Sequence, residues 1–225
     1  MANLMEKTLT QAIAQRRATP SFDGSAIPNE DLKKILDAGL RAPSGYNIQP
    51  WRFIVVRDAK NKEFLSMISK RGSGRRFTGE FLSGQMQARF ATLTDETKRK
   101  AAFKKLSSGD VSAFVSQADV ILIVFGKKEV WDLPFDTSAA IENIHLATTA
   151  VGLSCCWLVA PCIDLRDELK LNEYFGIPED FKSVSILAIG EHDGRYPNPR
   201  PRLPLSEIIF KEKYGVPYYE KEEAK

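Results

Sequence analysis

The chain has 225 residues, 43% of them hydrophobic, with 32 basic against 29 acidic side chains and a formal net charge of +3. That is enough apolar content for one full core over 1–225, and it excludes a collagen-like or disordered chain. The charge is too mild for a nucleic-acid protein, no apolar run is long enough to span a bilayer, and the start Met1 to Lys7 has no apolar signal core, so the expectation is a soluble, cytoplasmic protein without nucleic-acid or membrane partners.

In chain order, hydrophobic periodicity predicts helices near 5–15, 30–41, 60–69 and 137–151, and strands near 51–57, 119–126, 155–160 and 183–190. Asn29 is read as the N-cap of the second helix, with Asp31 in its first turn. Between that helix and the first strand runs Ala42-Pro-Ser-Gly-Tyr-Asn-Ile-Gln-Pro-Trp51. Pro43 and Pro50 restrict the backbone, Gly45 permits close approach, and Ser44, Asn47 and Gln49 supply hydrogen-bonding groups that no packing role requires. The loop thus reads as part of a binding site held between two rigid elements.

The segment 71–110 is rich in Lys, Arg, Ser and Gly with scattered Phe77, Phe81, Phe90 and Phe103, and it reads as a helical excursion or lid. Gly72-Ser-Gly74 lacks the third glycine of a dinucleotide fingerprint, and Gly126-Lys127 lacks the flanks of a phosphate loop. The basic run Lys98 to Lys105 reads as a solvated helical face. The apolar strand from Ala118 to Phe125 should lie mid-sheet, covered on both faces. His145, on an apolar helix, reads as a packed histidine. Cys155, Cys156 and Cys162 read as free, mostly buried thiols, the adjacent pair pointing to opposite faces of a strand; no metal site is expected, since the two histidines lack ligand spacing with them. No Ser/His/Asp or Cys/His constellation can be assembled, so the chemistry must come from a bound cofactor.

Four stretches supply a resemblance. Gln15-Arg-Arg-Ala-Thr-Pro-Ser-Phe22, Ala42 to Trp51, Asp136 to Asn143 followed by Leu146-Ala147 and Val151 to Trp157, and Arg200-Pro-Arg-Leu-Pro204 are similar, in order, to the motifs of the FMN-dependent nitroreductase family. The resemblance implies an α+β fold, a mainly antiparallel sheet flanked by helices, in an intertwined homodimer with a C-terminal extension over about 205–225. It implies FMN as cofactor, NADH or NADPH as reductant, and a nitroaromatic, quinone or other electron-poor small molecule as acceptor, the two substrates using one flavin face in turn. Carried over residue by residue, Arg16, Arg200 and Arg202 would hold the phosphate and Arg17 the phosphate or ribityl chain. Ala18 would serve through its backbone; Pro43, Ser44, Gly45, Asn47 and Gln49 would line the site from the partner chain; and a backbone N–H of Val159 or Ala160 would face flavin N5. No side chain is expected to be catalytic in its own right.

Two positions depart from the family pattern. Ala18 stands in place of a serine, and Pro20 in place of a second basic residue near the flavin, for which Arg75 or Lys104 is an expected substitute. Alternatives of the same fold are a reductive dehalogenase or a flavin-fragmenting enzyme, although Asn47 and Gln49 stand where deiodinase-like members tend to carry His and Glu; a non-catalytic flavin-binding sensor is the alternative of another class.

Overall fold

The structure, a computed structural model, describes residues 7–220. Strands β1 (Trp51–Val56), β2 (Val120–Lys127), β3 (Ser154–Leu158) and β4 (Phe181–Gly190) form one sheet in the order β1-β2-β4-β3, antiparallel throughout. β2 lies inside the sheet, and its side chains alternate between two cores. Ile121 and Ile123 face one, Val120, Leu122 and Val124 the other, all five fully buried. Each such aliphatic side chain contributes about 1.5–3 kcal/mol by leaving water, so β2 anchors both faces, as its unbroken apolar run predicts.

Nine helices flank the sheet among the described residues: α1 (Leu9–Gln15), α2 (Asn29–Leu40), α3 (Ala59–Leu82), α4 (Gln87–Ala91), α5 (Glu96–Ser107), α6 (Leu133–Ala150), α7 (Ala160–Ile163), α8 (Leu165–Phe175) and α9 (Leu205–Ile208). α2 and α6 cover one face through Leu32, Ile35, Ile141 and Ile144. α3, α8 and the 3₁₀ segment Asp110–Gln117 cover the other through Leu65, Ile68, Leu171, Phe114 and Val115. Helices on both sides of an antiparallel sheet make an α+β domain, as expected.

Several boundaries differ from the sequence reading. The first helix starts at Leu9, where Thr8 and Gln11 form a reciprocal capping box; residues 7–8 precede it, and 5–6 lie outside the described residues. Pro28, not Asn29, occupies the cap of α2; Asn29 is helical and its side-chain oxygen accepts a hydrogen bond from Arg57 at 3.1 Å. The predicted helix 60–69 runs on to Leu82, so the segment 71–110 is largely helical. It carries its own small core: the rings of Phe77, Phe81, Phe90 and Phe103 lie 5.1–6.1 Å apart, mostly tilted or edge to face. Gly72, set aside as a nucleotide signal, serves packing. A Cβ there would stand 2.4 Å from the Ala160 carbonyl oxygen, so only glycine lets α3 meet α7 this closely. The predicted strand 155–160 ends at Leu158, and α8 was not anticipated.

Candidate functional site

β3 is an edge strand, and its free side organises the site. Its pairing with β4 uses alternate residues, so Cys155 and Trp157 turn their backbone groups outward; the carbonyl of Val159, just past the strand, accepts from Cys162 N–H at 2.9 Å. At Cys155 the outer side is occupied: Thr19 N–H donates to its carbonyl at 3.1 Å and Ala18 forms a parallel bridge with it. The segment Arg16 to Pro20 thus lies along β3, stopping short of Trp157. From there the edge is open. Val159 precedes α7, whose first residue is Ala160 and whose second, Pro161, has no N–H; that leaves Val159 and Ala160 as the backbone donors at this turn.

A cavity of about 380 Å³ opens against this edge. Its walls include Pro20, Phe77, Met86, Phe114, Trp157 and Val159, with Arg76 and Glu80 as its charged groups. The Trp157 indole packs against the core on the other sheet face, with Cys155, and its N–H is buried there without a hydrogen-bond partner. Apolar walls beside the backbone N–H groups of the Val159–Ala160 turn suit a planar heteroaromatic molecule with acceptor atoms on its rim.

Arg16 ends α1 two residues before the bridge to Cys155 and does not line the cavity. Its side chain is 26% exposed and, among the described residues, pairs with Glu142 at 3.3 Å. Beneath it His145 is buried with both ring nitrogens unpartnered; burial, and secondarily the Arg16 charge, pushes its pKa down to about 4, so it is a neutral packed histidine, as expected. The three thiols are free and buried. Burial drives the Cys156 pKa up to about 12 and raises those of Cys155 and Cys162 as well, so none is a nucleophile at neutral pH. Cys155 and Cys156 do face opposite cores.

The Pro43 to Pro50 loop is elsewhere. It enters β1, the opposite edge strand. Through the register Trp51 to Gly126 to Lys182, against Leu158 to Ile186, it is set three strand spacings and four β4 residues from the near end of β3, roughly 20 Å. Ser44 braces it, its hydroxyl accepting from Gln49 N–H at 3.0 Å and its carbonyl from Asn47 N–H at 3.0 Å. Gly45 N–H reaches Asp136 on α6 at 3.4 Å. The strain falls not on Gly45 but on Tyr46, Asn47 and Gln49, whose φ values are 52°, 56° and 50°. Three non-glycine residues in the left-handed region cost of order 1–3 kcal/mol each. Around this loop Tyr46, Ile48, Trp131 and Phe135 are exposed, Trp131 at 93%.

Arg200 and Arg202 also stand apart from Arg16. Both are exposed; the Arg202 guanidinium donates to the Arg200 carbonyl at 3.3 Å. The chain leading to them leaves β4 beside the N-terminal segment, where Asp193 accepts from the Ser21 hydroxyl and Glu191 from Asp23 N–H. The tail turns back on itself through a bridge between Phe210 and Pro217, leaving Tyr214 and Tyr218 exposed rather than packed within the chain.

Arg17 donates to the carbonyls of Ala14 and Arg16 at 2.9 and 2.8 Å, at the end of α1. The two expected substitutes for the cation missing at Pro20 are corrected. Arg75 is committed to Asp164 and the fully buried Asp167, so it is not a substitute for the missing cation at Pro20, and Lys104 does not line the cavity. Arg76 does, with Pro20. The helical phase of α3 would have pointed to it: Arg76 follows Gly72 by one turn and falls on the cleft side, but only if the helix is known to continue past residue 69.

A model of the Nitroreductase family matches residues 13–191. A protein of Archaeoglobus fulgidus named as an NADH dehydrogenase/NAD(P)H nitroreductase is 31% identical over 193 residues, 83% of this chain and 86% of its own. The iodotyrosine deiodinase of Thermotoga neapolitana is 26% identical over 208 residues, 91% and 97% of the two chains. Among solved structures, a nitroreductase of Bacteroides fragilis with bound FMN superposes with a TM-score of 0.64 at 25% identity, covering 92% of this chain and 100% of that one.

Proposed function

The chain belongs to the Nitroreductase family, and from that premise we propose that it is an FMN-dependent oxidoreductase that takes hydride from NADH or NADPH and passes it to an electron-poor acceptor such as a nitroaromatic or quinone. The observation that carries the reading is the open edge of β3: a cleft with apolar walls that ends at the Val159–Ala160 turn, whose two backbone N–H groups precede Pro161.

The donor set fits the cofactor. FMN, when bound, supplies hydride acceptance and release at N5. The chain's part is to hold it. Val159 or Ala160 N–H donates toward N5, Pro20 and Val159 pack against the ring, and Arg76, paired with Glu80 at 2.7 Å, is the basic side chain in the cleft beside the proline at position 20. Arg16, tied only to an exposed Glu142, is available for the phosphate, with Arg200 and Arg202 closing over it from the chain that leaves β4. Ala18 contributes only its backbone, already used in the bridge to Cys155.

Pro43, Ser44, Gly45, Asn47 and Gln49 complete the site from a second copy. Their separation from β3 within one chain, their strained but braced conformation, and the exposed aromatics beside them support a two-fold homodimer in which each loop meets the partner's cleft. The exposed tail about 205–220 would then lie over the partner. No helix among the described residues is long and apolar enough to cross a membrane.

Anaerobic titration of the FMN-loaded protein with NADH or NADPH should bleach the flavin, and a nitroaromatic or quinone should restore its colour. A protein that ignores added FMN, or whose flavin neither nicotinamide reduces, overturns the proposal. The relative named as an iodotyrosine deiodinase motivates a second reading, reductive dehalogenation, which halide release from a halogenated phenol would reveal in the same assay.

A further inference from the structure

A second cavity, about 670 Å³, adjoins the cleft and meets it at Arg76 and Ala160. Lys70, Arg71, Arg75, Arg76 and Arg166 contribute five cations to its walls, and Asp164 is the one acid among the lining residues. The cations compete for four carboxylates. Lys70 is held by Asp110 at 2.7 Å and Arg76 by Glu80 at 2.7 Å. Arg166 grips Asp164 with two nitrogens at 3.0 and 2.7 Å, and Arg75 pairs with both Asp164 and the buried Asp167.

Arg71 is left over. Its nearest acid is Asp167, whose Oδ1 forms a loose ion pair with it at 3.8 Å, beyond hydrogen-bond reach, while Oδ2 of the same carboxylate binds Arg75. The Arg71 guanidinium makes no hydrogen bond to any described residue, yet it stands on the wall of a cavity that opens toward the Ala160 turn. A guanidinium in surplus over its carboxylates, inside a concave site, is arranged for a planar or tetrahedral oxyanion. We propose that this cavity receives the anionic group, a carboxylate or a phosphate, of the small molecule that reacts in the adjoining cleft, with Arg71 as its main contact. The assignment of that group to a redox substrate rests on the function proposed above; the anion site itself rests on the charge count.

The test compares p-nitrobenzoate with its neutral isostere p-nitrobenzamide, and NADPH with NADH, on the FMN-loaded protein, reading dissociation constants from flavin absorbance. Inorganic phosphate and p-nitrobenzoate are also titrated calorimetrically into flavin-free protein, so that a failure to bind FMN leaves the anion site decidable. The parent should favour the charged member of at least one pair by about tenfold or more. Arg71→Gln should abolish that preference while the neutral member binds as before, and Arg71→Lys should keep part of it. Loss of the carboxylate preference assigns the anion to the acceptor; loss of the NADPH preference assigns it to the nicotinamide coenzyme. Equal affinities throughout in the parent, or a preference that survives Arg71→Gln in a variant with parental melting temperature, overturns the proposal.

Discussion

The two edges of the sheet present opposite solutions to the same need. At β3 the backbone has no left-handed residue, the side chains are buried or half-buried, and the edge borders a cleft the chain builds by itself. At β1 the binding loop is strained, exposed and surrounded by uncovered aromatics. The first edge is a pocket lacking an occupant's second wall; the second is a wall lacking a pocket. Strain at an exposed loop is costly unless it prepares a contact, and the difference between the two edges is what supports the proposal that the β1 loop meets a second chain.

The comparison breaks first at the exposed aromatics. If Trp131 and Phe135 are covered by a second chain, the double variant Trp131→Glu/Phe135→Glu loses about 1.5–3 kcal/mol of apolar burial per ring and should weaken dimerisation by a hundredfold or more in sedimentation experiments, with FMN retention falling alongside. An unchanged dimer would remove the reason for the loop's exposure.

The β3 edge has its own probe in His145. Its folded pKa, about 4, lies below its ordinary 6.5 because burial and Arg16 disfavour the charged form. The unfolded chain therefore takes up the proton first: the stability tied to neutral His145 is complete above pH 6.5 and is lost as pH falls toward 4, by up to about 3 kcal/mol. In denaturant titrations His145→Leu should flatten the stability curve across that window. An identical pH slope in parent and variant contradicts the buried neutral histidine.

A smaller effect sharpens how α3 shapes the cleft. Gly72→Ala places a methyl against the Ala160 carbonyl and should cost about 1–3 kcal/mol, lowering the melting temperature by several degrees, whereas Gly79→Ala meets nothing within 4 Å and should be neutral or stabilising by up to about 1 kcal/mol. Smaller still, Tyr46→Gly should relieve the left-handed conformation at the β1 edge and raise stability by about 1 kcal/mol or less, while weakening the dimer if Tyr46 is a contact. Equal melting temperatures for Gly72→Ala and Gly79→Ala would count against the tight α3 to α7 contact.

What the sequence made legible follows the same division. The strands, α2, α6 and the burial of Cys155 and Cys156 on opposite faces came from periodicity, which reports burial. The polar loop stood out because Ser44, Asn47 and Gln49 have no packing use. What was hidden depended on tertiary packing: the extension of α3 to Leu82 runs through three residues with poor helix propensity, Gly72, Ser73 and Gly74, and is held by contacts to α7 and to the 3₁₀ segment. With that extension went the position of Arg76, the commitment of Arg75 to a buried aspartate, and the cationic cavity between them.

The central claim is that one site is built from both edges, contributed by two chains. Complementation tests it most directly. Arg16→Ala and Asn47→Ala chains, each prepared as a homodimer that holds FMN poorly, are unfolded together, refolded as a mixture, and assayed for FMN retention and NAD(P)H-driven flavin reduction. Statistical assortment makes half of the dimers mixed, each with one intact site and one doubly damaged site, so the account predicts recovery of about a quarter of the parental signal. Mixed dimers demonstrated by mass spectrometry with no recovery above either variant alone would contradict it, and would place Arg16 and Asn47 in a site within a single chain.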